Sequence, residues 1–281
     1  TDFPDAADVA RDMAPSGVEL AVVPARSAEY EAAMSDAEYL VGFVDGLVDN
    51  DLFKVGPNLK LIQLLSAGYD KADISAARSA GVPICNNGGA NSVAVSEHAI
   101  LLMLAVSRQL VRQHTSVAAG RWRGNETPRV HELRGQRLGI VGLGTIGKKT
   151  ARLAKAFGME VLYYDIARLT EDQEDALGVR FRLLGELLRE VDVVSVHTPL
   201  NESTRHLIGA NELALMKPAA IIVNTARGPV IDEVALHTAL TTGVIRATGL
   251  DVFDQEPPPT DNPLFDLDNV ILTAHLAGPT F

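Results

Sequence analysis

Short apolar runs alternate with stretches of helical periodicity along the whole chain, the pattern of an α/β protein built on a parallel sheet. In the first third, Glu19–Val23, Tyr39–Val44, Leu59–Leu65 and Val82–Cys85 are predicted strands. Polar, alanine-rich stretches at Ser27–Ala37 and Asp73–Ala80 lie between them. Ser92 to Ala119 reads as one long helix, apolar in its middle and basic towards its end. The polar, turn-rich segment Gly120–Leu133 reads as a crossover. A second series then predicts strands at Arg137–Val141, Glu160–Tyr164, Val191–Val196, Ala220–Val223, Ala247–Leu250 and Val270–Leu272. Helices are expected at Lys148–Phe157, Leu183–Glu190, Asn211–Leu215 and Glu233–Thr241. That strand count, with helices between, is the count of a complete doubly wound dinucleotide-binding domain.

The strand Arg137–Val141 runs directly into "GLGTIG". Gly142 permits a tight turn, Gly144 lets a pyrophosphate approach the backbone, and Gly147 lets helix and strand pack closely. The free N–H groups of the helix start, at Thr145, Ile146 and Gly147, would hold the phosphates at the positive end of the helix dipole. The next strand ends in "VLYYD", which puts Asp165 at about the twenty-residue spacing from which a carboxylate bonds the adenosine ribose. An acid there would repel a 2′-phosphate, so NAD is expected rather than NADP, although Arg168 stands close by. The plainer alternative is a glycine turn in a nucleotide-free α/β domain, with Asp165 merely capping a strand; turn, spacing and acid together favour the cofactor.

Composition narrows the classes. With 281 residues, 47% hydrophobic and 22% charged, the chain has the make-up of an ordinary soluble globular protein. A formal charge of −11 disfavours nucleic acid as a main partner. No apolar run is long enough to span a bilayer, no basic-then-apolar leader opens the sequence, and no membrane partner is expected. The single cysteine, Cys85, excludes an internal disulfide, suits a reducing cytoplasm and is expected to be a small buried apolar residue. One thiol also argues against a structural zinc, and no metal is expected.

Strand C-termini are where an open α/β sheet places its ligands. "IIVNTARGPVID" presents Arg227 after a strand, flanked by small residues, and a guanidinium there can bind a carboxylate through two parallel bonds. "GLDVFDQEPP" offers Asp251, Asp254 and Glu256, and "VILTAHLAG" offers His275. A histidine beside a carboxylate is a candidate general acid. Singly, Glu256 reads as a solvated loop residue and His275 as an ordinary buried histidine. His98, inside the long helix, and His197, beside Thr198-Pro199, are weaker candidates.

The stretches "GLGTIG…YYD", "HTPLNESTRHLI", "MKPAAIIVNTARGPVIDE", "GLDVFDQEP" and "TAHLAG", in this order over nearly the whole chain, resemble the D-isomer-specific 2-hydroxyacid dehydrogenases. The resemblance implies a Rossmann NAD domain at 91–275 and a smaller flavodoxin-like α/β substrate domain at 1–90. It implies NAD(H)-dependent reduction of a 2-keto acid to a D-2-hydroxy acid, and the reverse. Arg227 would bind and polarise the substrate, His275 would be the acid/base, and Glu256 would favour its protonated form and orient its ring. Asp251 would contact the nicotinamide carboxamide, and His197-Thr198-Pro199 and Thr225-Ala226 would border the cofactor. "LLSAGYDKAD" would supply the N–H groups of Ala67 and Gly68 to the substrate carboxylate, and "NSVAVSEH" would place Asn91 beside it. A homodimer through the long helix is also implied.

Family members usually have a strand ahead of this chain's first residue and a helix after the histidine motif. The first domain is therefore expected to lack its first strand, and 276–281 to begin the segment returning to it. Proline often precedes the histidine where Ala274 stands here. Formate dehydrogenases share the Asn91 motif but pair the histidine with glutamine, not with a glutamate such as Glu256. An NAD-sensing corepressor of the same fold would need a hydrophobic peptide groove or a long disordered tail, and the sequence displays neither. A methyltransferase would leave Arg227, Glu256 and His275 without a role.

Overall fold

A computed structural model describes residues 5–124, 127 and 129–279. The chain divides into two compact units, Thr1–Gly88 and Gly89–Phe281. The first holds α1 (Asp5–Met13), α2 (Ala28–Met34), β1 (Tyr39–Gly42), α3 (Leu52–Val55), β2 (Leu61–Leu64), α4 (Ile74–Ala80) and β3 (Ile84–Cys85). Its strands pair in parallel in the order β1-β2-β3. Tyr30, Met34, Leu52, Ile62, Leu64 and Val82 form the core beneath them. Side chains start two of the helices: Ser27 accepts from the Tyr30 N–H, and Asp73 from the Ala76 N–H.

Two expectations fail in this unit. Glu19–Val23 forms no strand; only Val23 packs against the core, and the segment has no ladder partner among the described residues. Cys85 is exposed rather than buried, because strand alternation turns Ile84 towards the core and its neighbour outward.

The second unit holds α5 (Ser92–Ser107), α6 (Leu110–Ala118), β4 (Arg137–Val141), α7 (Thr145–Ala156), β5 (Glu160–Tyr164), α8 (Glu171–Leu177) and β6 (Val179–Phe181). It continues with α9 (Leu184–Glu190), β7 (Val193–Val196), α10 (Ala210–Leu213), β8 (Ile221–Asn224), α11 (Glu233–Thr241), β9 (Ala247–Leu250) and β10 (Val270–Leu272). All seven strands are parallel, in the order β10-β9-β8-β7-β4-β5-β6. The chain winds outward from β4 through β5 and β6, then returns to the other side of β4 with β7. The reversal between β4 and β7 is the switch point at which such sheets bind ligands. β7, β8 and β9 are buried along their whole length, as strands covered on both faces must be. Residues of α5 and α7 pack one face, and residues of α9 and α11 the other.

The structure adds a strand and breaks a helix. Val179–Phe181 pairs with β5 and was absent from the sequence-based set. The helix expected over Ser92–Ala119 bends by 59° between α5 and α6. Gln109, at φ 49°, turns the chain there, and its side chain donates to the Arg129 carbonyl at 3.0 Å. Within the crossover, residues 125, 126 and 128 lie outside the described set, as do 280 and 281 of the final segment. No single helix among the described residues is long and apolar enough to cross a membrane.

Candidate active site

β4 leads into α7 through the glycine turn, and two of its glycines are sterically required. Gly142 has φ 97°, and a β-carbon on it would lie 2.9 Å from the His197 carbonyl. A β-carbon on Gly147 would lie 2.3 Å from the Gly142 oxygen. Gly144 differs, with no heavy atom within 4 Å of the place a β-carbon would take. It is also the N-cap of α7 and has no side chain to satisfy the first-turn N–H groups of Thr145, Ile146 and Gly147. Open space in front of uncapped N–H groups at the positive end of a helix fits a pyrophosphate. Asp165 follows β5 and is fixed to the turn itself: its Oδ2 accepts from the Leu143 N–H at 2.7 Å and its Oδ1 from the Ala167 N–H at 2.9 Å. A carboxylate has about four acceptor positions, so capacity remains for ribose hydroxyls.

The ends of β7 and β8 carry unspent polar groups. His197 follows β7 with Nε2 2.9 Å from Ser195 Oγ. Its Nδ1 is buried without a hydrogen-bond partner among the described residues. Burial pushes the imidazole pKa down to about 4, so the ring is neutral at ordinary pH. Thr198 Oγ1 and Thr225 Oγ1 are likewise buried and without a partner among the described residues. Groups of this kind either cost stability or await a ligand. Pro199 is exposed, and its carbonyl accepts from Thr204 Oγ1. The loop after β8 is shaped by Asn224, which sequence reasoning passed over. Its Oδ1 accepts from the Ala226 N–H at 3.0 Å, and its Nδ2 donates to the Arg227 carbonyl at 2.9 Å. An asparagine ending an otherwise apolar strand was the available signal.

His275, Glu256 and Arg227 come together on this side of the sheet. His275 Nδ1 lies 2.8 Å from Glu256 Oε2. With the proton on Nδ1 held by that carboxylate, Nε2 is the nitrogen able to give or take a proton. Glu256 Oε1 also accepts from the Phe253 N–H at 3.1 Å. Burial raises the Glu256 pKa, but the hydrogen bonds from His275 and Phe253 and the charge of Arg227 outweigh it, leaving the carboxyl below the usual glutamate value. Arg227 is half-buried, and its Nη1 donates to the Ala226 carbonyl at 2.7 Å. A cavity of about 530 Å³ lined by Phe253, Pro257, Pro258, Phe265 and Leu272 borders the pair and gives it an apolar wall.

His275 has φ 54°, a left-handed conformation that costs a non-glycine residue free energy. Asp251 supplies the compensation. Its carbonyl accepts from the His275 N–H at 2.8 Å, its Oδ1 from the Leu276 N–H at 3.0 Å and its Oδ2 from the Ala277 N–H at 2.9 Å. Thr273 Oγ1 donates to the same carboxylate at 2.5 Å and lies 3.0 Å from His98 Nε2. The Asp251 side chain is fully buried. Its oxygens hold the histidine loop, whereas the sequence reading aims them at a carboxamide. Thr273 is a further member of the site that the sequence did not single out, and His98 is one that it ranked among the weaker candidates.

Asn91 caps α5 without a side-chain hydrogen bond, and its Oδ1 is buried and unpartnered among the described residues. Ala67 and Gly68 lie in the first unit, in the loop after β2. Asn86 Nδ2 donates to the Ala67 carbonyl and Ser66 Oγ to that of Gly68, which fixes the loop by its carbonyl side.

The family profile described as D-isomer specific 2-hydroxyacid dehydrogenase, NAD binding domain, matches residues 100–277. A glyoxylate reductase of Korarchaeum cryptofilum is 41% identical over 248 residues, covering 87% of this chain and 74% of that protein. A hydroxypyruvate reductase of Thermotoga maritima is 41% identical over 235 residues, covering 83% and 75%. Among solved structures, the D-lactate dehydrogenase of Aquifex aeolicus complexed with NAD and lactic acid superposes with a TM-score of 0.79 at 33% identity, covering 89% of this chain and 79% of that one. With a β4–α7 turn shaped for a dinucleotide and relatives that match along most of its length, the chain belongs to the D-isomer specific 2-hydroxyacid dehydrogenase family and is an NAD-dependent oxidoreductase.

Proposed function

We propose that this protein reduces small 2-keto acids, of the size of glyoxylate or hydroxypyruvate, to D-2-hydroxy acids, with His275, Glu256 and Arg227 as its catalytic groups. The observation that carries the reading is the 2.8 Å bond between His275 Nδ1 and Glu256 Oε2, with the charge of Arg227 felt at the same carboxylate. The cofactor, when bound, supplies the hydride for reduction and accepts it in the reverse direction. The N–H groups of Thr145, Ile146 and Gly147 hold its pyrophosphate, with Gly142 and Gly144 giving the room, and Asp165 takes the adenosine ribose. The buried Thr198 and Thr225 hydroxyls, His197, Pro199 and Ala226 border it. Arg227 binds the substrate carboxylate and stabilises charge growing on the keto oxygen. His275 Nε2 delivers the proton to that oxygen as it becomes a hydroxyl. Asp251 acts through the loop, holding His275 in its left-handed conformation. Asn91 and the N–H groups of Ala67 and Gly68 are the proposed further donors to the substrate carboxylate. Residues 1–90 are assigned the substrate-binding role and 91–275 the cofactor-binding role.

The test is a panel of 2-keto acids offered with NADH and NADPH, following loss of reduced-cofactor absorbance and the configuration of the product. Turnover of a small keto acid with NADH and a D product is expected. His275→Ala should remove most of that turnover, by about a hundredfold or more, with cofactor affinity retained. Reduction consumes a proton from His275 and oxidation returns one, so turnover of the hydroxy acid should rise with pH. An unchanged rate in the histidine variant, or NADH binding without reduction of any keto acid, defeats the assignment.

We also infer a homodimer built on α5 and α6. α5 is mostly apolar, with Glu97 as an exposed charge on it. Val93 and Leu101 on α5, and Leu110, Val111 and Val117 on α6, nevertheless stand about half exposed. Light scattering should report twice the chain mass, and Leu101→Glu should shift it towards the monomer; a monomeric parent rules the dimer out.

A further inference from the structure

The segment after β5, "DIARLTEDQE", holds one cation, Arg168, among four acids, Asp165, Glu171, Asp172 and Glu174. A guanidinium close to the ribose-binding acid is the group that could accept the 2′-phosphate of NADP. Here its surroundings forbid that use. Arg168 Nε donates to Glu174 Oε1 at 3.1 Å, and its Cζ sits 5.1 Å from the centre of the Phe181 ring. Glu174 belongs to the first turn of α8 yet is only 3% exposed, an unusual place for a carboxylate that none of the proposed chemistry employs. Tyr163 donates to the same Oε1 at 3.0 Å, and the Leu169 N–H donates back to the Tyr163 hydroxyl at 2.9 Å. Tyr163 is itself fully buried, edge-on to Phe181 at 5.6 Å. The carboxylate is thus anchored in the interior by a phenol and matched by one outside charge.

We propose that Glu174 is a specificity-determining residue that secures NADH over NADPH by neutralising Arg168 and holding it over the Phe181 ring. The inference rests on the reading of the glycine turn and Asp165 as the dinucleotide site. Swinging Arg168 to a phosphate takes from the buried Glu174 carboxyl the guanidinium it is paired with, which is costlier than losing a surface pair. The cation–π contact with Phe181 adds to the hold. Selectivity then has two parts. The Asp165 carboxylate, fixed by the Leu143 and Ala167 N–H groups, repels the extra phosphate. The cation that could offset it is already engaged. The pair also accounts for an arginine beside a ribose-binding acid in an NAD-dependent protein.

The test is equilibrium titration of the full-length protein with NADH and NADPH, without substrate, followed by cofactor fluorescence. In the parent, NADPH should bind at least about tenfold more weakly than NADH. Glu174→Gln keeps the hydrogen bond from Tyr163 but removes the charge, and should narrow that ratio by about tenfold while NADH affinity stays within about twofold. Adding Arg168→Ala to it should restore the parental ratio. Arg168→Ala alone should leave NADPH affinity within about twofold, and this arm needs no change to the buried carboxylate. An unchanged ratio in a folded Glu174→Gln protein overturns the proposal, as does a gain that survives loss of Arg168. A large loss of NADPH affinity in Arg168→Ala alone also overturns it, since it places the guanidinium on the phosphate already. If the parent binds neither cofactor, the dinucleotide site itself is refuted and this proposal falls with it.

Discussion

At the residue scale, the site is an exercise in keeping a few side chains in costly states. His275 is held left-handed, and the holding falls to the buried Asp251 carboxylate. Because Thr273 Oγ1 gives its hydrogen to Asp251, its remaining role towards His98 is that of acceptor, so His98 carries its proton on Nε2. Thr273→Val keeps the shape and deletes both bonds. It leaves a buried carboxylate short of a donor, for which a loss of roughly 1–3 kcal/mol in unfolding free energy is expected. The loop carrying His275 loosens with it, so kcat should fall by about tenfold while cofactor affinity holds, and Thr273→Ser should restore both. A valine variant with parental kcat would show that the Asp251 network does not position the histidine. Little of this could be read from the sequence. Arg227, Glu256 and His275 stood out because each follows an apolar strand, but their meeting depends on how β8, β9 and β10 line up. Asn224 and Thr273 were hidden because they serve loops rather than substrate.

At the scale of elements, hydrophobic periodicity succeeded wherever one unit's own core decides. The helix expected at Glu233–Thr241 and the strands expected at Arg137–Val141, Glu160–Tyr164, Ala247–Leu250 and Val270–Leu272 have the predicted bounds. It failed where a single residue or a partner decides. The helix break at Gln109 is sealed by a bond to Arg129, and β6 is too short, with Arg180 at its centre, to show a pattern. The β4–α7 junction separates two roles of glycine that one motif conflates. Gly147→Ala pushes a β-carbon into the Gly142 carbonyl, so α7 must move off the strand, and a loss of about 1–3 kcal/mol is expected. Gly144 has an ordinary φ of −72° and open space around it, so Gly144→Ala should unfold at the parental urea midpoint. Its methyl group instead enters the space proposed for the pyrophosphate, and NADH affinity should drop by about tenfold or more. Equal stability losses in the two variants would mean that Gly144 serves the fold and not the cofactor.

For the molecule as a whole, acid stability gathers groups from separate strands into one measurable slope. His197 is held neutral by burial, with a pKa of about 4 in the folded protein against 6.5 ordinarily. Between those values the unfolded chain binds a proton that the folded chain refuses, so stability falls as pH falls through this window, by on the order of 3 kcal/mol. Glu256 acts in the same direction but lower. Burial raises its pKa and the partners His275, Phe253 and Arg227 more than reverse this, so its stabilising contribution is complete above the usual glutamate range and disappears as pH falls through the lowered value. Asp192 behaves alike: burial is outweighed by the Arg137 N–H and by Lys217, so that this carboxylate ties the start of β4 to the turn ahead of β8. One imidazole and two carboxylates therefore favour proton uptake on unfolding. In the cofactor-free protein the melting temperature should be flat above neutrality and begin to fall below about pH 6.5, well before carboxylates titrate. His197→Gln, whose amide can keep the bond to Ser195, should lose most of the slope between pH 6.5 and 4 while retaining the steeper fall beneath it. A parent protein whose melting temperature is level down to pH 5 would mean that the His197 ring takes its proton in the folded state, and so has water or a charge partner beside it.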